Sequence, residues 1–359
     1  MNSKFTVALI GCGAIAKNSH LPAFEKLGCI RVKYACDLIP EKAYALKESY
    51  PFIENVITDY KIALADEEVE AVFVLTHNRD HYQHTVDALR AGKHVLCEKP
   101  ICVNYEMSLE MKREADEQGK MLNIGVVNRY GNAANILRDM VREGKLGKIY
   151  TICCNFRAPL HMIPGIGGPF TSKYESGGGA LIDTGIHYLD IIEYIMGGLK
   201  YKKASCDIFG EIGKDMKAYR TTFSMWAEDT ANVEGGVYDV EEYVSGYIRA
   251  EGVSLSLNGG WAQNLDISDR YIDFLGTEGG ARFDYAKKTL FFTDAKTQES
   301  KDLTPTRNNY FIAQTEAFID SIRTGVRART NIDYVLPVMK LIDALYKSAE
   351  CGREVEIKE

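Results

Sequence analysis

Asp183 and His187 stand four residues apart in a stretch, 180–196, whose apolar positions include Leu181, Ile182, Leu189, Ile192, Ile195 and Met196. Asp190 and Tyr194 continue the series at steps of three and four, so on a helix all four polar side chains share one face. Such a stripe needs hydrogen-bonding partners or a wet cleft. An imidazole ionises near neutral pH, which makes His187 the natural general base, with Asp183 one turn earlier to orient the ring or hold a substrate hydroxyl. The competing reading is a satisfied structural histidine. Asp190 and Tyr194 read as structural or supporting.

A second feature lies near the start of the sequence. Gly11, Gly13, Ala14, Ile15 and Ala16 form GCGAIA directly after an apolar run and at the mouth of a helix. Small residues suit a turn that must be tight, must let the backbone reach a pyrophosphate, and must pack helix on strand. A tight turn without a ligand would use the same residues. Asp37, 21 residues after Ala16, stands where an acid would meet an adenosine ribose, or would cap the helix opening at Pro40-Glu41. A carboxylate about 4 Å from a 2′-phosphate is repelled by several kcal/mol at an effective dielectric near 20, which predicts NAD over NADP.

The elements that must position these residues follow from the apolar pattern. The runs FTVALIG, RVKYAC, AVFVL, HVLCE and MLNIGV alternate with amphipathic stretches such as 80–91 and 105–118, which end at Gly92 and Gly119. That alternation predicts an α/β, doubly wound parallel sheet over 1–127, a Rossmann domain. From 128 to 359 the texture becomes helix, strand, helix, repeated strands and two closing helices at about 310–323 and 333–349. Gly259-Gly260 and the TEGG at 277–280 read as turns between antiparallel strands, giving an α+β second domain with an open, mostly antiparallel sheet. Trp261 and Tyr271 read as core or oligomer-interface residues.

Composition narrows the partners. Lys+Arg 43 against Asp+Glu 50 gives a net charge of −7, with no basic run dense enough to track a phosphate backbone, so nucleic acid is not an expected partner. The first apolar run is too short for a membrane span and lacks a cleavage pattern, so a cytoplasmic protein is expected, with no membrane association. The nine cysteines include no C-x-x-C pair, and no H-E-x-x-H or comparable metal-ligand spacing occurs, so neither disulfides nor a metal are expected.

Glu98-Lys99-Pro100 after HVLC, the segment THNRDH at 76–81, SGGGALIDTGIHYLD and the closing KLIDALYKSAECGREV, together with GCGAIA and Asp37, resemble the glucose–fructose oxidoreductase, inositol dehydrogenase and rhizopine-catabolism family, Gfo/Idh/MocA. The resemblance runs over nearly the whole chain. It implies a Rossmann domain with an open antiparallel α/β partner domain, and dimers, tetramers or higher homo-oligomers joined through the open sheet. It also implies that Lys99, whose bond to proline is often cis in the family, lies beside the nicotinamide and the reacting hydroxyl. The family's D-x-x-x-H pair falls on Asp183 and His187. Thr76, Asn78 and Glu98 carry over as cofactor contacts. His77 replaces a usual proline and does not, while His81 reads as structural.

Substrate contacts are expected from Lys99, Asp183 and His187, from Asn128 and Arg129 at the opening of the second domain, and from Arg157 and His161 ahead of the glycine-rich PGIGGPF segment. The implied activity is reversible, NAD-dependent oxidation of a secondary hydroxyl of a sugar, a glycoside (at carbon 3) or a cyclitol. Two other readings stay open: an NAD-dependent glycosidase acting through transient oxidation, and a non-catalytic dinucleotide sensor.

Overall fold

In the computed structural model, residues 4–158, 162–217, 219 and 234–358 are described. The densely apolar runs become a six-stranded sheet of β1 (Phe5–Ile10), β2 (Ile30–Cys36), β3 (Ile53–Ile57), β4 (Ala71–Val74), β5 (His94–Cys97) and β6 (Leu122–Ile124), all parallel, in the order β3-β2-β1-β4-β5-β6. Every residue of β1 and β4 is buried, as central parallel strands covered on both faces require. The strand order reverses between β1 and β4, and the carboxyl ends of strands at such a point are where open α/β sheets bind ligands. The sequence pattern does not announce β3: IENVI exposes Glu54 and Asn55 at the edge of the sheet, so it lacks the apolar density of its neighbours.

By its contacts the chain divides into two compact units, and the division departs from a single cut at 128. The first unit takes the chain up to residue 127 together with 309–336; the second takes most of 128–308 and then 337 onward. The reason is packing. The helix Tyr310–Thr324 contributes Phe318 and Ile319 to the core beneath β1 and β4, beside Phe24, Phe73 and Leu9. Burying two such side chains is worth about 1.5–3 kcal/mol each.

The second unit is built on nine strands: β7 (Ile149–Arg157), β8 (Tyr201–Phe209), β9 (Tyr243–Ala250), β10 (Val253–Gly260), β11 (Asp269–Gly276), β12 (Gly279–Asp284), β13 (Thr289–Asp294), β14 (Ser300–Asp302) and β15 (Val355–Glu356). Their order is β14-β13-β12-β11-β7-β10-β9-β8-β15, antiparallel throughout except for β7 beside β10. Ile152, Cys154, Phe156, Leu255, Leu257, Ile272 and Phe274 are buried on one face. On the other face runs a cross-strand row, Ser205, Tyr247, Ser256, Cys153 and Asp273, each at least partly exposed.

Gly259 and Gly260 do not form a turn; they end β10. A Cβ on Gly259 would lie 2.3 Å from the Phe156 ring, and one on Gly260 2.1 Å from the Glu242 carbonyl oxygen. Close approach explains these glycines. Thr277-Glu278 makes the turn between β11 and β12, while Gly279-Gly280 already lies within β12. Among the described residues, no helix is long and apolar enough to cross a membrane.

Candidate active site

The first unit supplies a cradle at the ends of β1 and β2. Gly11 has φ +100°, and a Cβ there would lie 2.5 Å from the Leu75 carbonyl oxygen. Only glycine fits that turn. A Cβ on Gly13 would meet nothing within 4 Å, so its backbone faces open space. Ala14 and Ile15 begin the helix, which widens at once into a turn closed by Leu21 N–H on the Ala16 carbonyl. Asp37 ties this loop to β2: its Oδ2 accepts the Cys12 N–H and its Oδ1 the Ile39 N–H, both at 2.9 Å. Leu38 beside it is 89% exposed. An open backbone turn, a helix N-terminus and a fixed carboxylate suit a dinucleotide's pyrophosphate and ribose.

Thr76 follows β4, its Oγ1 3.3 Å from His84 Nδ1, and Asn78 begins the helix Asn78–Arg90. His81 on that helix is buried, with ring nitrogens 2.8 and 3.0 Å from the Pro100 and Thr76 carbonyl oxygens. It therefore ties the loop after β4 to the peptide that follows Lys99, and burial pushes its pKa down. The Lys99-Pro100 bond is cis. Lys99 is half-buried behind Glu98.

Glu98, expected against the cofactor, is turned inward. One carboxylate oxygen lies 2.9 Å from His20 Nε2 and the other accepts the Lys99 N–H at 3.1 Å. Gly125 lies so close to that carboxylate that a Cβ there would be 2.6 Å from Oε2. His20, fully buried among the rings of Phe24, Phe73 and Phe311, was not singled out from sequence. A histidine inside the apolar SHLPAF segment was the available signal.

In the second unit the helix predicted over 180–196 comprises a wide turn, Leu181–Gly185, running into Ile186–Met196. The Ile186 N–H closes that turn on the Leu181 carbonyl, five residues back. Such widenings recur at functional sites. Glu241 caps the start, accepting the N–H groups of Gly179 (3.0 Å) and Leu181 (2.9 Å) and the Tyr346 hydroxyl (2.9 Å). The glycines of SGGGA make room for it: a Cβ on Gly179 would lie 1.9 Å from the Glu241 carbonyl oxygen, and one on Gly178 2.1 Å from the Tyr346 hydroxyl.

The polar stripe of this helix splits in two. Asp183 and His187 are half-exposed, whereas Asp190 and Tyr194 are buried. Asp183 Oδ2 accepts the Trp261 indole N–H at 2.9 Å and the Thr184 hydroxyl at 3.2 Å. His187 Nδ1 lies 3.3 Å from Asn128 Nδ2, and Asn128 Oδ1 accepts from Lys288 Nζ at 3.2 Å. Trp261, Glu241 and Lys288 are thus additions that sequence reasoning missed.

Of the expected substrate contacts, Asn128 is the one brought to His187. Arg129 is not available in that way. It is 2% exposed and holds Asp190 through Nε (3.0 and 3.1 Å) and a terminal nitrogen (2.7 Å). Burial raises the Asp190 pKa while Arg129 pulls it down. Arg157, at the end of β7, pairs with Asp269. His161 lies outside the described residues. Among the described residues, no three His, Cys, Asp or Glu side chains form a cluster that could hold a metal ion.

These geometries find counterparts in known proteins. Residues 5–126 match the model of an oxidoreductase family with an NAD-binding Rossmann fold, and residues 135–282 match the Gfo/Idh/MocA C-terminal domain. D-glucoside 3-dehydrogenase of Escherichia coli K12 is 31% identical over 99% of this chain and 98% of its own. The chain belongs to the Gfo/Idh/MocA family.

A second relative from that family, the NADP⁺-dependent scyllo-inositol 2-dehydrogenase of Bacillus subtilis 168, is 22% identical over 98% of this chain and 96% of its own. Among solved structures, levoglucosan dehydrogenase in complex with NADH and levoglucosan superposes with a TM-score of 0.85 at 20% identity, covering 99% of this chain and 100% of the other. As a Gfo/Idh/MocA member this protein is an NAD(P)-dependent oxidoreductase, and its cofactor is NAD.

Proposed function

We propose that this Gfo/Idh/MocA protein interconverts a secondary alcohol and a ketone on a sugar, a glycoside (at carbon 3) or a cyclitol. The observation that carries the reading is the split helix stripe. Asp183 and His187 are held by Trp261, Thr184 and Asn128 yet stay half-exposed, while Asp190 and Tyr194 further along the stripe are buried and bonded. The glucoside and inositol dehydrogenases among its relatives support the substrate class.

NAD would be held by Gly11, Gly13, Ala14 and Ile15 at its pyrophosphate and by Asp37 at its ribose, with Thr76 and Asn78 further along the same sheet edge. Bound there, it supplies an acceptor or donor of hydride at its nicotinamide ring. The chain's own residues deal with the oxygen. An alcohol losing hydride from carbon must also lose its hydroxyl proton, and Lys99 and His187 are the two groups suited to hold it. Asp183 fixes the oxygen's position by accepting or sharing a hydrogen bond. Glu98 and His81 position Lys99 by gripping the backbone on either side of it. The open face of the second sheet, with Tyr247 and Tyr271, is the surface through which a homo-oligomer would form.

The test is a panel of hexoses, methyl glycosides and inositols with NAD and NADP, followed by absorbance of the reduced cofactor. A substrate should be found for which His187→Ala and Lys99→Ala each lower kcat/KM by about 10² to 10⁴. Wild-type turnover in both variants, or no reduction of cofactor with any member of the panel, overturns the assignment.

A further inference from the structure

Lys288 belongs to the turn between β12 and β13 and holds φ +58°, the left-handed region that a residue with a Cβ seldom adopts. Its ammonium sits 3.6 Å from the centre of the Tyr285 ring and donates to Asn128 Oδ1 at 3.2 Å. Burial, with Arg307 and Arg270 beside it, pushes Lys288 down to about 8 against the opposing pull of Asp284, so the ammonium is still the major form at neutral pH.

An ammonium only donates and an amide oxygen only accepts. Lys288 therefore decides which end of Asn128 it meets, and the other end, the amide NH₂, is the one turned to His187 Nδ1. That nitrogen must carry a lone pair. A neutral imidazole has a single N–H, and this arrangement would put it on Nε2 in His187. Adding a second proton would set Nδ1–H against the NH₂ of Asn128, two donors face to face, and turning the amide round would set its NH₂ against the ammonium.

Resting on the alcohol–ketone reading above, we propose that Lys288 and Asn128 are positioning residues that hold His187 as a neutral Nε2–H donor, so that His187 polarises the substrate oxygen. A neutral imidazole can serve a carbonyl in this way. It cannot give up its only N–H without becoming an imidazolate, so the hydroxyl proton passes to a base other than His187 as hydride leaves carbon, and returns from it in the reverse direction. This revises the sequence expectation that His187 is the base and removes His187 from the two proton-holding groups named in the alcohol–ketone reading.

The side-chain ¹⁵N spectrum of the seven histidines, read at pH 7 with His187 assigned by the signal lost in His187→Gln, tests this directly. In the wild-type protein Nδ1 of His187 should be unprotonated and Nε2 protonated. Lys288→Met should move the ring toward the Nδ1–H form and shift its titration upward, and Lys288→Arg, which keeps a donor, should restore the wild-type spectrum. Asn128→Asp, with a carboxylate facing Nδ1, should shift it further in the same direction and carries the test alone if Lys288→Met does not fold. A protonated Nδ1 in the wild type, or spectra unchanged in Lys288→Met and Asn128→Asp, overturns the proposal. The spectra need no substrate, so failure of the alcohol–ketone reading would show separately, as no reduction of cofactor with any member of the substrate panel.

Discussion

The Trp261 indole N–H reaches Asp183 Oδ2 at 2.9 Å and Thr184 Oγ1 at 3.0 Å, linking the start of the chain segment after β10 to the helix that carries His187. Trp261 is 4% exposed and packs with Ile163, Ile166 and Ala262. Trp261→Phe keeps most of that packing and removes the donor. Losing one hydrogen bond to a carboxylate costs about 1.5–3 kcal/mol of stability, so the melting temperature should fall by several degrees, and kcat/KM should fall as well because Asp183 loses its anchor. An unchanged kcat/KM in a folded variant would show that Asp183 needs no such anchor.

On the proposed reading, Asp37 sets the choice of nucleotide. Replacing it by serine removes the acceptor for Cys12 N–H and the negative charge together. Fluorescence titration should show NAD binding weakened and NADP binding strengthened, since the repulsion of a 2′-phosphate is gone. Discrimination equal to wild type would mean that the carboxylate only braces the loop.

The two glycines of the cradle should fail differently. Gly11→Ala forces a Cβ to 2.5 Å from a backbone oxygen at φ +100°, and strain of this kind costs of order 1–3 kcal/mol; chemical denaturation should register it without any nucleotide. Gly13→Val meets no protein atom within 4 Å of its Cβ. It should leave the denaturation midpoint near wild type and impair nucleotide binding. Equal destabilisation by both variants would contradict this account.

His94, half-buried at the start of β5, accepts the Met121 N–H at Nδ1 (2.9 Å). Desolvation, with a smaller push from Lys120, brings its pKa down to about 4. A histidine in the unfolded chain titrates near 6.5. The unfolded state thus binds the proton first, and stability is lost as pH falls from about 6.5 towards 4. His94→Asn, which keeps an acceptor near Met121, should lose less melting temperature between pH 7 and pH 5 than the wild type does. Parallel curves would remove His94 from the acid response.

The parts of this architecture written in local pattern were legible. Apolar runs named five of the six parallel strands, and the glycine-rich turn, Asp37 and the Asp183/His187 helix were visible from spacing alone. What stayed hidden depends on contacts distant in sequence. β3 carries Glu54 and Asn55 because an edge strand can face solvent. Gly259 looked like a turn because the Phe156 ring that crowds it is about a hundred residues away in sequence. Trp261, Glu241 and Lys288 reach Asp183, the helix start and Asn128 across separations that no periodicity encodes. Arg129 could not be told from a substrate contact until Asp190 was seen to occupy it.

The return of the helix Tyr310–Thr324 to the first unit has a consequence for how the chain is made. A ribosome releases β1 through β6 long before Phe318 and Ile319 exist, so the nascent sheet lacks part of its apolar cover while the intervening domain is synthesised. The nucleotide cradle at the end of β1 can therefore reach its final stability only late in translation. Domains generally fold as units during synthesis; in this chain the domain that starts first is the one that must wait.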